Sequence, residues 1–163
     1  KLLGVDVRPQ SAFDPAQARA VVGIGSPKTR EKVVRELPAE TLFETLIHPA
    51  AVVSQWVSIG EGSVICAGAV LTCQITIGSH CQLNLNITVG HDCTFGDFCT
   101  VAPGPNISGN VNFGKRVEVG TQAAFRQHLS ICDDAVIGMG TVVVKDIVEP
   151  GTYVGVPAKK VAS

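Results

Sequence analysis

The chain has 163 residues, enough for one domain to bury a core of its own. Its 13 basic and 14 acidic side chains form no block of like charge, which argues against nucleic acid or an anionic membrane as a partner. The sequence has no apolar run long enough to span a membrane and no signal-peptide pattern, so we expect a cytoplasmic protein.

The first part of the chain predicts a partial α/β unit. "KLLGVDV" and "ARAVVGIG" are short apolar runs with the composition of strands. They are followed by "SPKTREKVVREL", in which Ser26 can cap a helix and Pro27 takes the first helical position. The predicted apolar face of this helix consists of Val33, Val34 and Leu37. "LFETLIHPA" supplies a last strand, and Pro49 marks the joint to the remainder of the chain.

A six-residue repeat begins at Ala51 and continues to Asp146 without an insertion. In each of these sixteen hexads the third residue is aliphatic or phenylalanine: Val53, Ile59, Ile65, Leu71, Ile77, Leu83, Val89, Phe95, Val101, Ile107, Phe113, Val119, Phe125, Ile131, Ile137 and Val143. A period of six is the signature of a hexapeptide parallel β-helix, in which three short strands close one triangular coil. Residue i therefore lies over residue i+18, and the third positions fill the interior.

Small residues predominate at the fourth position of the hexads, where the chain turns. We expect these corners to need a small side chain or a positive φ. The repeat makes about five and a third coils, a prism about 25 Å tall at the usual strand spacing. The sequence therefore predicts a mainly β protein. A partial α/β, Rossmann-like unit covers residues 1–48, and a parallel β-helix domain with a C-terminal tail covers residues 49–163.

Six cysteines and four histidines raise the question of a disulfide framework or a metal centre. The cysteines lie in strand-like segments without a CxxC pair, so we expect reduced thiols that pack as small apolar residues. A carbonic-anhydrase-like metal site needs three converging histidines, and the spacing of His80, His91 and His128 does not stack them in one column. We therefore expect no metal, with His80 and His128 at solvent-exposed corners and His48 in a structural role.

Several segments carry a family resemblance. "NITVGHDCTFGDFCTVAPGPNISGNVNFG", "AVIGMGTVVVKDI" and "GTYVGVPAKKV" resemble the hexapeptide-repeat nucleotide-sugar acetyltransferases of the sialic acid, bacillosamine and perosamine pathways. "VVGIGSPKTREKVV" and "LIHPAAVVS" are similar to the end of that family's N-terminal domain. The resemblance implies a left-handed β-helix and a homotrimer, with acetyl-CoA in a groove between neighbouring prisms and a nucleotide-sugar substrate held by the N-terminal domain.

The resemblance also implies the catalytic residues. His91 takes the position of the general base, and Asp92 that of the acid which supports it. The chemistry agrees, because a thioester is already activated and an imidazole can remove a proton from the attacking group near neutral pH. Gly109 follows His91 by 18 residues, so the coil arithmetic leaves an open space above the histidine and an amide N–H that could bind the oxyanion. The rival route through an acyl-cysteine at Cys93 is disfavoured, because Cys93 alternates away from the histidine's side.

For the two substrates, the resemblance implies binding residues in different parts of the chain. Those assigned to acetyl-CoA are Thr100, Gly120, Thr121, Gly138, Met139, Gly140, Lys159 and Lys160. Asp6 matches an acidic position that contacts the nucleotide base or ribose. The family's first strand and glycine-rich phosphate turn have no counterpart here, and we interpret the sequence as a fragment rather than a natural variant.

Three functions remain open at this point. The first is acetyl transfer to the amine of a nucleotide-linked amino sugar. The second keeps the chemistry but acetylates a hydroxyl, as in sialic acid O-acetylation. The third is a catalytically idle trimeric scaffold, against which the presence of His91, Asp92 and Gly109 argues. Binding of acetyl-CoA separates the third from the others, and only acceptor turnover separates the first two.

Overall fold

The computed structural model of the protein describes residues 1 and 3–161, and three parallel sheets in it form the faces of a prism. The first sheet contains β1 (Leu46–Ile47), β4 (Val64–Ile65), β7 (Gln82–Leu83), β10 (Thr100–Val101), β13 (Glu118–Val119), β16 (Ala135–Ile137), β18 (Gly151–Val154) and the antiparallel β19 (Lys159–Lys160). The second contains β2 (Val52–Val53), β5 (Val70–Leu71), β8 (Thr88–Val89), β11 (Asn106–Ile107), β14 (Ala124–Phe125) and β17 (Val142–Val143). The third contains β3 (Val57–Ile59), β6 (Ile75–Ile77), β9 (Thr94–Phe95), β12 (Val111–Phe113) and β15 (Leu129–Ile131).

The stacking of the coils confirms the hexapeptide prediction. Leu71 pairs with Val53 on one side and with Val89 on the other, so residue i lies beside residue i+18. From Ile65 onward every third-position residue is buried, whereas Val53 and Ile59 are partly buried. The second sheet has six strands, and the prism therefore has about six coils, one of which starts at β1 ahead of the predicted repeat.

The corners differ from the prediction in where positive φ occurs. It falls at the sixth position of every hexad from Gly62 to Gly140, for example at Asp92 with φ of 58°. The glycines at the fourth position are needed for another reason. A Cβ at Gly60 or Gly96 would come within 2.6 Å of a backbone carbon of the next coil. Close stacking between coils, rather than the φ angle, therefore selects the small residue at position four.

The N-terminal segment is less complete than the predicted α/β unit. A 3-10 turn (Gln10–Ala12) precedes α1 (Pro27–Glu36), which begins as predicted, with the Ser26 hydroxyl accepting the Thr29 N–H at 3.5 Å. A single parallel bridge joins Ala20 to Phe43 across the helix. No Rossmann-like sheet is formed by the described residues, because an isolated pair of short segments lacks the neighbouring strands that a sheet needs.

The first predicted strand, "KLLGVDV", is also not formed in the part of the chain that the structure describes. Residues 3–9 contain only one bridge residue, Val5, and its side chain is exposed like that of Val7. Leu2 of this run lies outside the described residues. The side chains of Leu3, Val5 and Val7 are thus exposed and not covered by a sheet.

Arg30 attaches α1 to the prism, which the predicted apolar face of the helix did not anticipate. Val33, Val34 and Leu37 are only half-buried, whereas the Arg30 side chain is fully buried. Its guanidinium donates hydrogen bonds to the carbonyls of Ile24, Gly25, His80, Phe98 and Cys99 and to the hydroxyl of Thr100. Burial lowers the pKa of Arg30. Six oxygens from both sides of the joint thus replace the water that the charge loses.

His80 is buried beneath the N-terminal segment, which corrects its assignment to an exposed corner. Its ring stacks on Phe98 at 5.0 Å between centroids and meets the edge of Phe43 at 4.6 Å. The sixth position of this hexad faces α1 and its flanking chain instead of solvent. The other two assignments agree with the structure: His128 is exposed, and Nδ1 of His48 accepts the Ala50 N–H at 3.0 Å within a turn.

We expect the free energy of unfolding to fall as the pH is lowered from about 6.5 to about 5. Burial lowers the pKa of His80, with Arg30 adding to this effect and Glu61 and Asp97 opposing it. The unfolded imidazole gains a proton in this range before the folded one, so stability is fully present above the unfolded pKa and is lost below it. Urea titrations of wild type and His80→Phe at about pH 8, 6 and 5 measure how much His80 contributes to the pH dependence of the free energy of unfolding. The same pH dependence in the variant and in wild type would contradict this role of His80.

Candidate active site

The corner between the second and third sheets brings the predicted catalytic pair together. Gly90, His91 and Asp92 connect β8 to β9, and both side chains of the pair are exposed. Nδ1 of His91 lies 2.7 Å from Oδ2 of Asp92. The positive φ of Asp92 belongs to the sixth-position pattern of the corners, so the repeat itself sets the backbone from which the carboxylate meets the ring.

The contact with Asp92 fixes which nitrogen of His91 is free. A carboxylate can only accept a hydrogen bond, so the neutral imidazole carries its proton on Nδ1 and its lone pair on Nε2. The carboxylate also stabilises the imidazolium that forms when Nε2 takes a proton. In this arrangement Nε2 is the nitrogen that can accept a proton, and the carboxylate holds the ring in one orientation.

Gly109, one coil further on, provides the surface against which the ring lies. A Cβ at Gly109 would lie 2.8 Å from both Nε2 and Cε1 of His91. The space that we expected to be open above the histidine is therefore occupied by the imidazole itself. The absence of a side chain at this position allows the ring to take its place.

The Gly109 amide is the candidate oxyanion donor. It donates no hydrogen bond to any residue that the structure describes. At an equivalent corner position, the Lys115 N–H donates to Oδ1 of Asp133 one coil further on, at 2.8 Å. Because the repeat places Gln127 one coil after Gly109, we expect the Gly109 N–H to point towards Gln127 in the same way. A free donor thus lies on the C-terminal side of the His91 ring.

Five of the residues assigned to acetyl-CoA share a different corner, the one between the first and second sheets. Gly120 and Thr121 follow β13, while Gly138, Met139 and Gly140 follow β16, one coil later. Met139 is 80% exposed. This edge of the prism is not the edge that carries the catalytic pair. A single chain therefore does not bring the two sets together.

Comparison with known proteins identifies the family. No protein-family model matches the sequence. The structure resembles perosamine N-acetyltransferase from Caulobacter crescentus, solved as a histidine-to-asparagine variant with CoA and GDP-perosamine, with a TM-score of 0.87 and 33% identity over 90% of this chain and 70% of that one. The chain belongs to the hexapeptide-repeat nucleotide-sugar acyltransferases. The acetyltransferase domain of PglB from Neisseria gonorrhoeae is similar to this chain at a TM-score of 0.89 and 33% identity, over 93% of this chain and 75% of that one.

Two curated relatives match a part of this chain. GDP-perosamine N-acetyltransferase from Escherichia coli is 32% identical over 107 residues, which are 65% of this chain and 48% of the relative. UDP-3-O-acylglucosamine N-acyltransferase from Bordetella avium is 39% identical over 100 residues, 61% of this chain and 27% of that protein. The chain thus spans half or less of the length of these curated relatives.

The structure places the other residues that the resemblance assigns to acetyl-CoA at separate positions. Thr100 is buried under the N-terminal segment, and its hydroxyl donates to the Gly25 carbonyl at 2.7 Å. The Lys160 ammonium pairs with Glu149 at 2.9 Å. Lys159 lines a cavity of about 310 Å³ at the C-terminal end of the prism. None of these three side chains is at the His91 corner.

Asp6, the residue matched to nucleotide binding, is exposed in the N-terminal segment. It lines a cavity of about 450 Å³ whose walls come from residues 6–18 alone, and its carboxylate lies 3.7 Å from the Lys1 ammonium. Asp6 is therefore not brought to the catalytic pair within one chain. The position of Asp6 could not be predicted from the sequence, because the segment around it forms no sheet that would fix where the side chain lies.

Cys93 is poorly placed for the covalent route. Its side chain is fully buried, with Sγ 3.2 Å from the Ser108 carbonyl, and burial raises the pKa of the thiol. The thiol therefore faces the interior of the prism, away from the side on which His91 is exposed.

Among the described residues no three His, Cys, Asp or Glu side chains form a metal-binding group. Within the same part of the chain, no helix has the length and apolar character needed to cross a bilayer.

Replacing Gly109 by alanine should lower acetyl-transfer turnover without unfolding the chain. The new methyl group meets the movable His91 ring rather than backbone, so the imidazole must shift. We expect a fall in kcat of about tenfold or more, because small displacements of a positioned base are costly, and a change in stability within about 0.5 kcal/mol. Steady-state kinetics and urea titration measure both, with Ser108→Ala at the same corner as the control. Wild-type kcat in Gly109→Ala would contradict the role of this contact.

Proposed function

We propose that this chain transfers the acetyl group of acetyl-CoA to the amine of a nucleotide-linked amino sugar, with His91 as the general base. The observation that carries the proposal is the 2.7 Å contact between His91 and Asp92, with the ring lying against Gly109. Support comes from the similar structures, since one is an N-acetyltransferase with CoA and GDP-perosamine and another, the PglB domain, is known with acetyl coenzyme A.

His91 and Gly109 divide the chemistry between a base and an oxyanion donor. Nε2 of His91 takes the proton of the amine as the nitrogen attacks the thioester carbonyl carbon and the new C–N bond forms. The Gly109 N–H donates to the oxygen that gains the carbonyl electron pair. When that pair returns, the C–S bond breaks and the imidazolium gives its proton to the departing thiolate. The products are an amide and the free thiol of CoA.

Asp92 acts on the same reaction through the ring. Its carboxylate holds the Nδ1 proton and so keeps Nε2 as the acceptor before attack. After proton transfer it lies beside a full positive charge, which it stabilises. Both side chains are about half exposed, at 58% and 43%, which leaves the acceptor a path to Nε2.

The proposal includes a homotrimer with acetyl-CoA bound between copies. Support comes from the separation of the two residue sets, because the corner of Gly120 and Gly138 lies on a different edge from His91 and only a neighbouring copy can complete the groove. Cyclic packing of three prisms creates three equivalent grooves of this kind. In this arrangement, the exposed side chain of Met139 faces the acetyl-CoA of the adjoining copy.

Thiol release from acetyl-CoA tests the function. The assay compares GDP-perosamine, UDP-linked and dTDP-linked 4-amino sugars and free sialic acid as acceptors, and alkali treatment of the product separates amides from esters. We expect turnover with one of the amino sugars and an alkali-stable product. An alkali-labile product would assign O-acetylation instead, and binding of acetyl-CoA in calorimetry without turnover on any acceptor would contradict the proposal.

A further inference from the structure

The edge of the prism that carries His91 also carries an exposed tryptophan. Trp56 takes the sixth position of the first hexad, and Gln74 and Asp92 occupy the same position in the next two coils. The indole is 65% exposed although it is the largest apolar side chain of the protein and its only tryptophan. Exposure of such a side chain is costly in water and suits a surface that receives a ligand.

A cavity lies beside the indole on the side of the catalytic pair. Its volume is about 280 Å³, and Trp56, Cys73 and Gln74 line it. Cys73 lies one coil before His91, and its carbonyl accepts the Asp92 N–H at 3.1 Å. The Gln74 side chain is exposed and forms no hydrogen bond with any described residue. The cavity thus joins an aromatic face and an unused amide, one coil before His91 on the same edge.

The same edge has a different character on the other side of His91. Arg126 and Lys145 are exposed there, one and two coils beyond Gly109, and neither forms an ion pair within the described part of the chain. Asp146, next to Lys145, is engaged by the Ser130 N–H at 2.9 Å. The basic half of the edge suits the phosphates of acetyl-CoA, which leaves the aromatic half for the acceptor.

We propose that Trp56 is an acceptor-binding residue, on whose indole a ring of the nucleotide-linked sugar stacks while its amine lies at His91. Trp56 and Asp92 are two coils apart, about 10 Å at the usual strand spacing, which a nucleotide sugar spans. The pyranose ring and the nucleobase both have a flat face that an indole can cover. The Gln74 amide hydrogen bonds to a polar substituent of that ring. This inference rests on the proposed function, and it adds a specificity residue to it.

The fluorescence of Trp56 tests the inference directly, because its emission is that of the sole tryptophan. The probes are GDP-perosamine, UDP-N-acetylglucosamine, GDP, UDP and free N-acetylglucosamine, added to wild type and to His91→Asn. We expect a saturable emission change with a nucleotide sugar, retained in His91→Asn, which cannot turn over. A change with GDP or UDP alone would show that the nucleobase stacks on the indole. A change only with sugar-bearing probes would show that the pyranose does.

Two results of the titration would overturn the inference in distinguishable ways. Nucleotide-sugar binding seen by calorimetry without an emission change would remove Trp56 from the acceptor site and leave the proposed function intact. Absence of nucleotide-sugar binding in calorimetry would overturn both.

Kinetics of substituted proteins give a second test. Trp56→Ala should raise KM for the acceptor about tenfold and leave KM for acetyl-CoA unchanged, while Trp56→Phe restores most of the loss because a flat face remains. Val148→Ala, at another exposed apolar residue, should leave both values unchanged. Light scattering excludes the alternative contact: a Trp56→Ala protein of lower mass than wild type would identify the indole as a subunit contact and overturn the inference. An unchanged acceptor KM would overturn it as well.

Discussion

Replacing His91 by asparagine should lower kcat/KM for the acceptor by at least about a hundredfold. Asparagine keeps a polar side chain at the corner but has no nitrogen that takes up a proton near neutral pH. Attack on the thioester would then require the amine to lose its proton to water. The measurement is steady-state thiol release with saturating acetyl-CoA and a varied amino-sugar acceptor.

The control for this substitution is His48→Asn, at an exposed histidine of another corner whose side chain hydrogen bonds within its own turn. Asparagine can accept the Ala50 N–H as the imidazole does, so we expect wild-type kinetics. The KM for acetyl-CoA should stay unchanged in His91→Asn, because the base acts on the acceptor. A loss smaller than about threefold would show that His91 is not the base.

Replacing Arg30 by methionine should release α1 from the prism. The substitution keeps the apolar stem but removes the donor from the carbonyls of Ile24, His80 and Phe98 in a buried joint. The carbonyls of Gly25 and Cys99 keep a second donor, the Thr100 hydroxyl and the Gln82 N–H respectively. Stranding buried polar groups in this way costs about 3 kcal/mol. Amide hydrogen exchange of residues 28–37 should accelerate by about a hundredfold, the equivalent of this energy.

Arg35→Met provides the matched control on the same helix. Arg35 is exposed and pairs with Glu31 one turn earlier at 2.6 Å, a contact worth about 0.5 kcal/mol or less. Exchange in the prism strands β8 to β14 should stay slow in both proteins, because the coils hold together without α1. Equal exchange of α1 in Arg30→Met and wild type would contradict the role of the buried guanidinium.

The prism is predictable from the sequence because its information is periodic and local. One apolar residue in every six, always at the third position, determines both the strand and the direction of its side chain. That rule correctly predicts the neighbours of Val89, which are Leu71 and Ile107 in adjacent coils. Two reasons were predicted for a small residue at position four, a steric clash and a positive φ, and the structure shows the clash. The sequence alone could not choose between them, because the clash depends on the distance between coils.

The joint between the N-terminal segment and the prism was not predictable in the same way. Arg30 and His80 are polar residues whose positions in the sequence give no sign of burial. Arg30 lies on a charged helix, and His80 lies at the sixth position of a hexad. Their burial follows from the approach of Phe43 and α1, which are separated from the corner by tens of residues. A guanidinium satisfied by carbonyls instead of a carboxylate leaves no charge pattern in the sequence.

The candidate site divides along similar lines. His91 and Asp92 are adjacent in sequence and Gly109 is one coil away, so the repeat brings the three together in one chain. The residues assigned to acetyl-CoA follow the same register but lie on another edge of the prism. Residue spacing within one chain cannot indicate that a second copy would be needed to bring the two sets together. Trp56 gave no signal, since an exposed aromatic two coils from the base is not part of any repeat rule.

The most direct measurement of the central claim is the mass of the acceptor after incubation with acetyl-CoA and the wild-type chain, run beside His91→Asn. With the nucleotide-linked amino sugar that the thiol assay selects, we predict a gain of one acetyl group that alkali does not remove, and no gain with the variant in the same time. An unmodified acceptor with wild type, or equal acetylation by the two proteins, would contradict it.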